Sequence, residues 1–160
     1  MDTRVQTELK TFVDWIKIKA RVHVLNTDSK FFHEREIWWA HFGHNVGSEL
    51  NGKHDKFERP VVIFRKVSDT TFWALPISSN TGDDIFSHYI FTNSEGKPNA
   101  VIWTQIRLLS AKRLIRKSGS KLSSEHTHAL KLKITEFLGS KTTAPPVMEA
   151  PRSSVTGAAV

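Results

Sequence analysis

The sequence has no cysteine in 160 residues, which excludes disulfide scaffolds, thiol catalysis and Cys-based zinc sites. It has no run near the roughly 18 apolar residues of a membrane-spanning helix. Met1 to Lys10 lacks the apolar centre of a secretory signal peptide. These absences predict a cytoplasmic protein with no membrane partner. Acid is in short supply, with 16 Asp+Glu against 23 Lys+Arg and a formal charge of +7. Such a balance suits an anionic partner, such as nucleic acid, a membrane surface or an acidic protein. Histidine spacing for a metal is also lacking. His41 and His44 are three apart, and His126 and His128 would face different sides of a helix. No metal and no cofactor are expected.

What is present reads as one domain with appendages. Val5, Leu9, Phe12, Val13, Ile16 and Ala20 recur at helical spacing, predicting an amphipathic helix over about 5–22. Asn26 to Ser29 is turn-like. The middle of the chain reads as short strands: Glu36–His41, Val61–Phe64, Thr71–Leu75 before Pro76, His88–Thr92, Val101–Trp103 and Gln105–Leu109. Turn-rich stretches separate them at Ser68-Asp69, Asn80–Asp84 and Asn93–Asn99. This spacing predicts a small antiparallel sheet or barrel. Trp38, Trp39, Trp73 and Trp103 read as core residues, but alternation turns one of the pair Trp38/Trp39 outward. Ser123 reads as an N-cap, with Leu130, Ile134, Phe137 and Leu138 as the stripe of a terminal helix ending near Gly139. The expected organisation is residues 1–30 as helix and linker, 31–139 as the barrel with its C-terminal helix, and 140–160 as a Ser/Thr/Pro/Ala-rich tail.

Three places can carry chemistry. The stretch Asn45-Val46-Gly47-Ser48-Glu49-Leu50-Asn51-Gly52-Lys53 combines glycines with an acid and a base, and His54, Lys56 and Arg59 follow. Glycine permits close backbone approach to a phosphate, and Arg and Lys supply charge. No Gly-Lys-Ser/Thr follows, so this is not a P-loop; a solvated hairpin reads equally well. Pro76-Ile77-Ser78-Ser79 ends the third strand with hydroxyls that can cap a turn or bond a phosphate oxygen. From Arg107 to Lys121 there is no acid, and Arg107, Lys112, Arg113, Arg116, Lys117 and Lys121 are basic. Two readings of that strip stand, a phosphate-contacting surface and a sheet edge protected by charge.

Five segments occur in order: Glu36-Ile37-Trp38-Trp39, Asn45-Val46-Gly47-Ser48-Glu49, Arg59-Pro60-Val61-Val62-Ile63, Leu75-Pro76-Ile77-Ser78-Ser79 and Gln105-Ile106-Arg107-Leu108-Leu109-Ser110-Ala111-Lys112-Arg113-Leu114. Together they resemble the PemK/MazF family of growth-inhibiting toxins from type II toxin–antitoxin systems, over about residues 33–138. The likeness is to a branch with an added N-terminal helix and a long first loop. The resemblance implies an α+β, mainly β fold: a small SH3-like antiparallel barrel with an N-terminal and a C-terminal helix, usually as a homodimer. It implies a metal-independent endoribonuclease that cuts single-stranded RNA, often mRNA, at short sequences and is blocked by a cognate antitoxin.

Carried onto this sequence, the catalytic candidates are Arg59 of the Arg-Pro motif, Ser78 after the third strand, and Glu49 of the Gly-Ser-Glu motif. Gln105 and Arg107 match the Gln-Ile-Arg motif, for which substrate binding and a structural role both stand; the remaining substrate-binding candidates, Ser79, Asn45, Lys53, His54 and Lys56, come from the hydroxyls and the loop described above. Ser78 stands where the family often has threonine, and the stretch from Glu49 to Arg59 is longer than in short members. RNA supplies its own 2′-hydroxyl nucleophile, so the protein must orient the chain, move protons and stabilise phosphate charge. Arg59 would grip phosphate oxygens, Glu49 would act as base, and Ser78 would donate a hydrogen bond. Cyclic phosphate and 5′-hydroxyl ends would result. Two other classes remain open: a non-catalytic barrel toxin that inhibits a protein such as DNA gyrase, and a nucleic-acid-binding module without cleavage.

Overall fold

The computed structural model describes residues 2–25, 30–82 and 87–139. Helix α1 spans Thr3–Leu25. Strands follow as β1 Glu36–His41, β2 Glu58–Lys66, β3 Thr71–Ser78, β4 His88–Thr92 and β5 Pro98–Ile102. Then come β6 Arg107–Ser110, β7 Leu114–Lys121 and helix α2 Ser124–Gly139. The fold is mainly β with a helix at each end, as expected. The turn Asn26–Ser29 and the tail Ser140–Val160 lie outside the described residues, as does part of the turn at Asn80–Asp84.

The sheet is antiparallel and runs β4-β5-β3-β2-β1-β7, with β6 on β3 off this path. Among the described residues the path does not close; β4 and β7 are its ends. The hydroxyls of Ser94, in the β4–β5 turn, and Ser120, in β7, meet at 2.8 Å across that gap. Proline does not end β3. Thr71 to Ala74 pair with β6, while Ile77 and Ser78 pair with β5. Pro76 sits at the changeover, where its missing N–H breaks no ladder bond on that edge. The acid-free strip runs through β6 and β7; Arg116, Lys117 and Lys121 lie on β7, the terminal strand beside β1, so these charges also guard a sheet edge.

Both faces of β2 are buried, which is why Val61 to Phe64 is a continuous apolar run. Val61 and Ile63 pack with Phe32, Trp38, Phe42, Phe72 and Leu114. Val62 and Phe64 pack on the other side with Ile37, Leu75, Val101, Trp103 and Leu130 of α2. Ser123 caps α2, its hydroxyl accepting from the His126 N–H at 3.1 Å. Trp38 is buried and its neighbour Trp39 half-buried, with Arg116 over the Trp39 ring at 4.6 Å. Trp73 departs from expectation: it is exposed opposite Leu108 of β6.

Helix α1 docks by a different face from the one its apolar periodicity suggests. Val5, Leu9, Val13 and Ile16 are exposed, and Trp15 is its one buried residue. The Trp15 ring lies 5.7 Å from Phe57, and Phe12 meets His44 edge-on at 4.5 Å. Gly43 makes this possible. Its φ is +104°, and a Cβ there would stand 2.7 Å from the Trp15 ring.

Candidate active site

The loop after β1 is tied at its neck. The N–H groups of Phe42 and Gly43 both donate to the Phe57 carbonyl, and the Gly52 N–H donates to the Gly43 carbonyl at 2.7 Å. Gly52 passes against the Phe57 carbonyl with no room for a side chain. Asn45 braces the interior: its amide donates to the Leu50 carbonyl, and its N–H donates to the Asn51 side chain, both at 2.6 Å. Gln105 closes a clasp from the far side. Its Oε1 accepts from the Leu50 N–H at 3.0 Å, and its Nε2 donates to the Ser48 carbonyl at 3.1 Å. Glu49 is thereby held between two fixed residues, exposed to solvent. The structure spends both ends of the Gln105 amide on the loop, and the Asn45 amide nitrogen is spent there too.

Arg59 is buried near the start of β2, 6% exposed. Its Nε donates to the Asn51 carbonyl at 2.8 Å and its Nη1 to the Ile77 carbonyl at 3.1 Å. A guanidinium has five N–H groups, so the two backbone carbonyls fix its direction without exhausting it. The β2–β3 register pairs Val61 with Pro76, and carried on by two residues it sets Arg59 across from Ser78. The Ser78 hydroxyl accepts from the Asn80 N–H at 3.1 Å, leaving its own proton to donate. Ser79 is exposed.

Two further arginines gather on the same side. Arg107 lies over the Phe42 ring at 4.3 Å, and Arg59 approaches that ring at 6.0 Å. Arg113 lies 5.5 Å over the Trp15 ring, its Nη1 donating to the His41 carbonyl at 2.9 Å. No ion pair neutralises any of the three among the described residues. Burial, then the field of Arg107, pushes the Arg59 guanidinium below its ordinary range. Arg113 is pushed down by the same two causes. Burial lowers Arg107 as well, against a partial rise from Glu49.

Two cavities flank the Gln105 clasp. The larger, about 710 Å³, is walled by Trp15 and Lys19 of α1, by Glu49, and by Arg107 and Arg113. The smaller, about 410 Å³, contains Ser78 and Asn80. Both share Ser48, Thr104 and Gln105. The structure therefore brings the Arg59 guanidinium to the Ile77 carbonyl, one residue before Ser78, and puts Glu49 with Arg107 on the other side of the clasp. Arg59 itself lines neither cavity. Lys53, His54 and Lys56 are not gathered either. They form a tight exposed turn closed by the Lys53–Glu58 bridge. Sequence reasoning missed Phe42, Trp15 and Lys19. The only signal for Trp15 was a tryptophan off the apolar stripe of its own helix, and nothing in the spacing marked Phe42.

A family model described as PemK-like, MazF-like toxin of type II toxin–antitoxin system matches residues 33–138. Helix α1 precedes the matched span. No curated protein matches the sequence. Among solved structures, the chain is similar to Mycobacterium tuberculosis toxin MazF-mt6, at 17% identity and a TM-score of 0.48, over 65% of this chain and 96% of that one.

Proposed function

The chain belongs to the PemK-like, MazF-like toxin family of type II toxin–antitoxin systems, and from that premise we propose that it is an endoribonuclease cutting single-stranded RNA without metal. Membership implies an antitoxin partner. In this reading the protein works in the cytoplasm as a homodimer, and the antitoxin covers the site.

The observation that carries the reading is the cluster of Arg59, Arg107 and Arg113, desolvated and without ion pairs among the described residues. Cations left unneutralised in a partly buried place are unfavourable unless an anion arrives from outside. A phosphodiester is such an anion, and its charge grows in the transition state of cleavage. Arg59, aimed by two carbonyls, stabilises that charge and, with its acidity raised by burial, donates toward the leaving 5′-oxygen. The Ser78 hydroxyl donates to a phosphate oxygen. Glu49, on the far side of the clasp, takes the 2′-hydroxyl proton. The 2′-oxygen attacks phosphorus, the bond to the 5′-oxygen breaks, and a cyclic phosphate and a 5′-hydroxyl remain. The test is incubation of mixed single-stranded RNA with the purified protein in EDTA, followed by mapping of 5′ ends. Discrete cuts bearing 5′-hydroxyls are expected; intact RNA, or cleavage that requires added magnesium or zinc, contradicts the reading.

A further inference from the structure

The larger cavity has a wall from outside the family-matched span. Trp15 and Lys19 belong to α1, at positions before residue 33. The helix is fastened there at several points: Trp15 against Phe57, the Glu8 carboxylate to His44 at 2.9 Å, and the Lys112 ammonium to the His23 carbonyl at 2.7 Å. We propose that this cavity is a nucleotide-binding subsite, taking an RNA nucleotide that flanks the scissile phosphate, with Lys19 and Arg113 on phosphate oxygens and the Arg107 plane against the base. The proposal rests on the endoribonuclease reading above.

Size, charge and continuity each support it. About 710 Å³ lies within the usual range for cavities that take small organic ligands. Lys19, Arg107 and Arg113 contribute three positive charges to its lining against one carboxylate, Glu49. Lys19 has no ion-pair partner among the described residues. Phe42 and Trp15 are too buried to offer open ring faces, but each carries an arginine, and a guanidinium plane is itself a stacking surface for a base. Continuity favours a strand over a single small molecule. The Ser78 cavity begins on the other side of Gln105 and shares three lining residues with this one. A chain seated in one therefore runs past the clasp into the other. Helix α1 would thus set how the flanking nucleotide is held, while the chemistry stays with Arg59, Ser78 and Glu49, none of them on α1.

The test uses the full chain and a fluorescein-labelled short single-stranded DNA of random sequence, which lacks the 2′-hydroxyl and is not cut. Fluorescence anisotropy gives its affinity in EDTA at fixed salt. Lys19 is exposed on a helix surface, so Lys19→Glu folds; Arg113→Gln is a second variant on the opposite wall. Each should weaken DNA binding by roughly tenfold or more, the loss expected for one charge-assisted phosphate contact. On mixed RNA, Lys19→Glu should raise KM with kcat little changed and alter the base preference beside the cut. Wild-type affinity and an unchanged cut pattern in Lys19→Glu would overturn the subsite and leave cleavage standing. Weakened DNA binding in a protein that cuts no RNA would support the subsite and sink the nuclease reading. An oligoglutamate peptide that binds tighter than the DNA, with the same dependence on Lys19, would replace a nucleic acid by an acidic protein and overturn the proposal.

Discussion

Two groups of charge sit on the same sheet and are built in opposite ways. On the β1–β7 side the two buried acids, Glu36 and Glu58, each have a base. Glu36, 1% exposed, accepts from the Lys117 ammonium at 2.6 Å, the Trp38 indole at 2.9 Å and the His33 N–H at 3.1 Å. Glu58 takes both forks of Arg116, at 2.8 and 3.0 Å. Around Phe42 and Trp15, by contrast, Arg59, Arg107 and Arg113 have no ion-pair partner among the described residues. The first group favours folding at neutral pH, since each acid prefers to be charged in the folded state. The second opposes it. An arginine whose pKa is lowered on folding binds its proton less tightly than in the unfolded chain, so the folded state loses stability wherever it stays charged. A fold that tolerates such a cluster beside two cavities is suited to an anion that completes it.

The largest expected effect breaks the second group. Arg59→Ala should reduce RNA cleavage more than a hundredfold, about 3 kcal/mol of lost transition-state stabilisation. Single-turnover rates, on protein with wild-type far-UV circular dichroism, measure this. Cleavage within a few-fold of wild type would remove Arg59 from the chemistry.

The next effect sharpens the first group. Burial alone would raise the Glu36 carboxyl, but the bonds from Lys117, Trp38 and the His33 N–H outweigh it and lower it from 4.5 to about 2. Its stabilisation is therefore complete above about pH 4.5 and is lost as pH falls toward 2. That shift is worth about 3 kcal/mol. Chemical denaturation as a function of pH should show a decline in that window which is largely absent in Glu36→Gln, and Glu36→Gln should still cut RNA at neutral pH. Identical pH profiles for the two proteins would contradict the pairing drawn for Glu36.

A smaller effect lies where α1 joins the site. Gly43→Ala puts a methyl group 2.7 Å from the Trp15 ring, at a φ of +104° that L side chains avoid. It should lower stability by about 1–3 kcal/mol and loosen α1, reducing affinity for RNA more than the cleavage rate. A thermal melt unchanged from wild type would show that α1 does not rest on this residue.

Much of the fold was legible because its signals are local. Alternation and turn residues gave β1 and β4, the acid-free run gave a charged edge as one of two readings, and Ser123 gave the cap of α2. The site was legible only in part. The approach of Arg59 to the residue before Ser78 follows from the antiparallel course of β2 and β3, and the two short motifs named both residues. The role of Gln105 as a clasp depends on residues 55 and 57 positions away, a distance that no local pattern spans. Helix α1 misled for a physical reason. Of its apolar stripe, Phe12 docks, half-buried against His44, while Val5, Leu9, Val13 and Ile16 stay exposed; the one residue the helix buries, Trp15, lies off the stripe and meets a glycine with a positive φ. Lys53, His54 and Lys56 read as phosphate contacts by charge alone, and charge does not say which way a turn points.

The contrast between the two groups is tested most directly by neutralising one arginine from each, Arg107→Gln and Arg116→Gln, with thermal unfolding and RNA cleavage measured on both. Arg116→Gln should strand the Glu58 carboxylate and lower stability by about 1–3 kcal/mol, with cleavage near wild type. Arg107→Gln should keep or raise the melting temperature, since it removes a desolvated charge that repels Arg59 and Arg113, and should lose at least roughly tenfold in cleavage. If instead Arg107→Gln destabilises the fold as much as Arg116→Gln and still cuts RNA at the wild-type rate, the unpaired arginines are structural and the account fails.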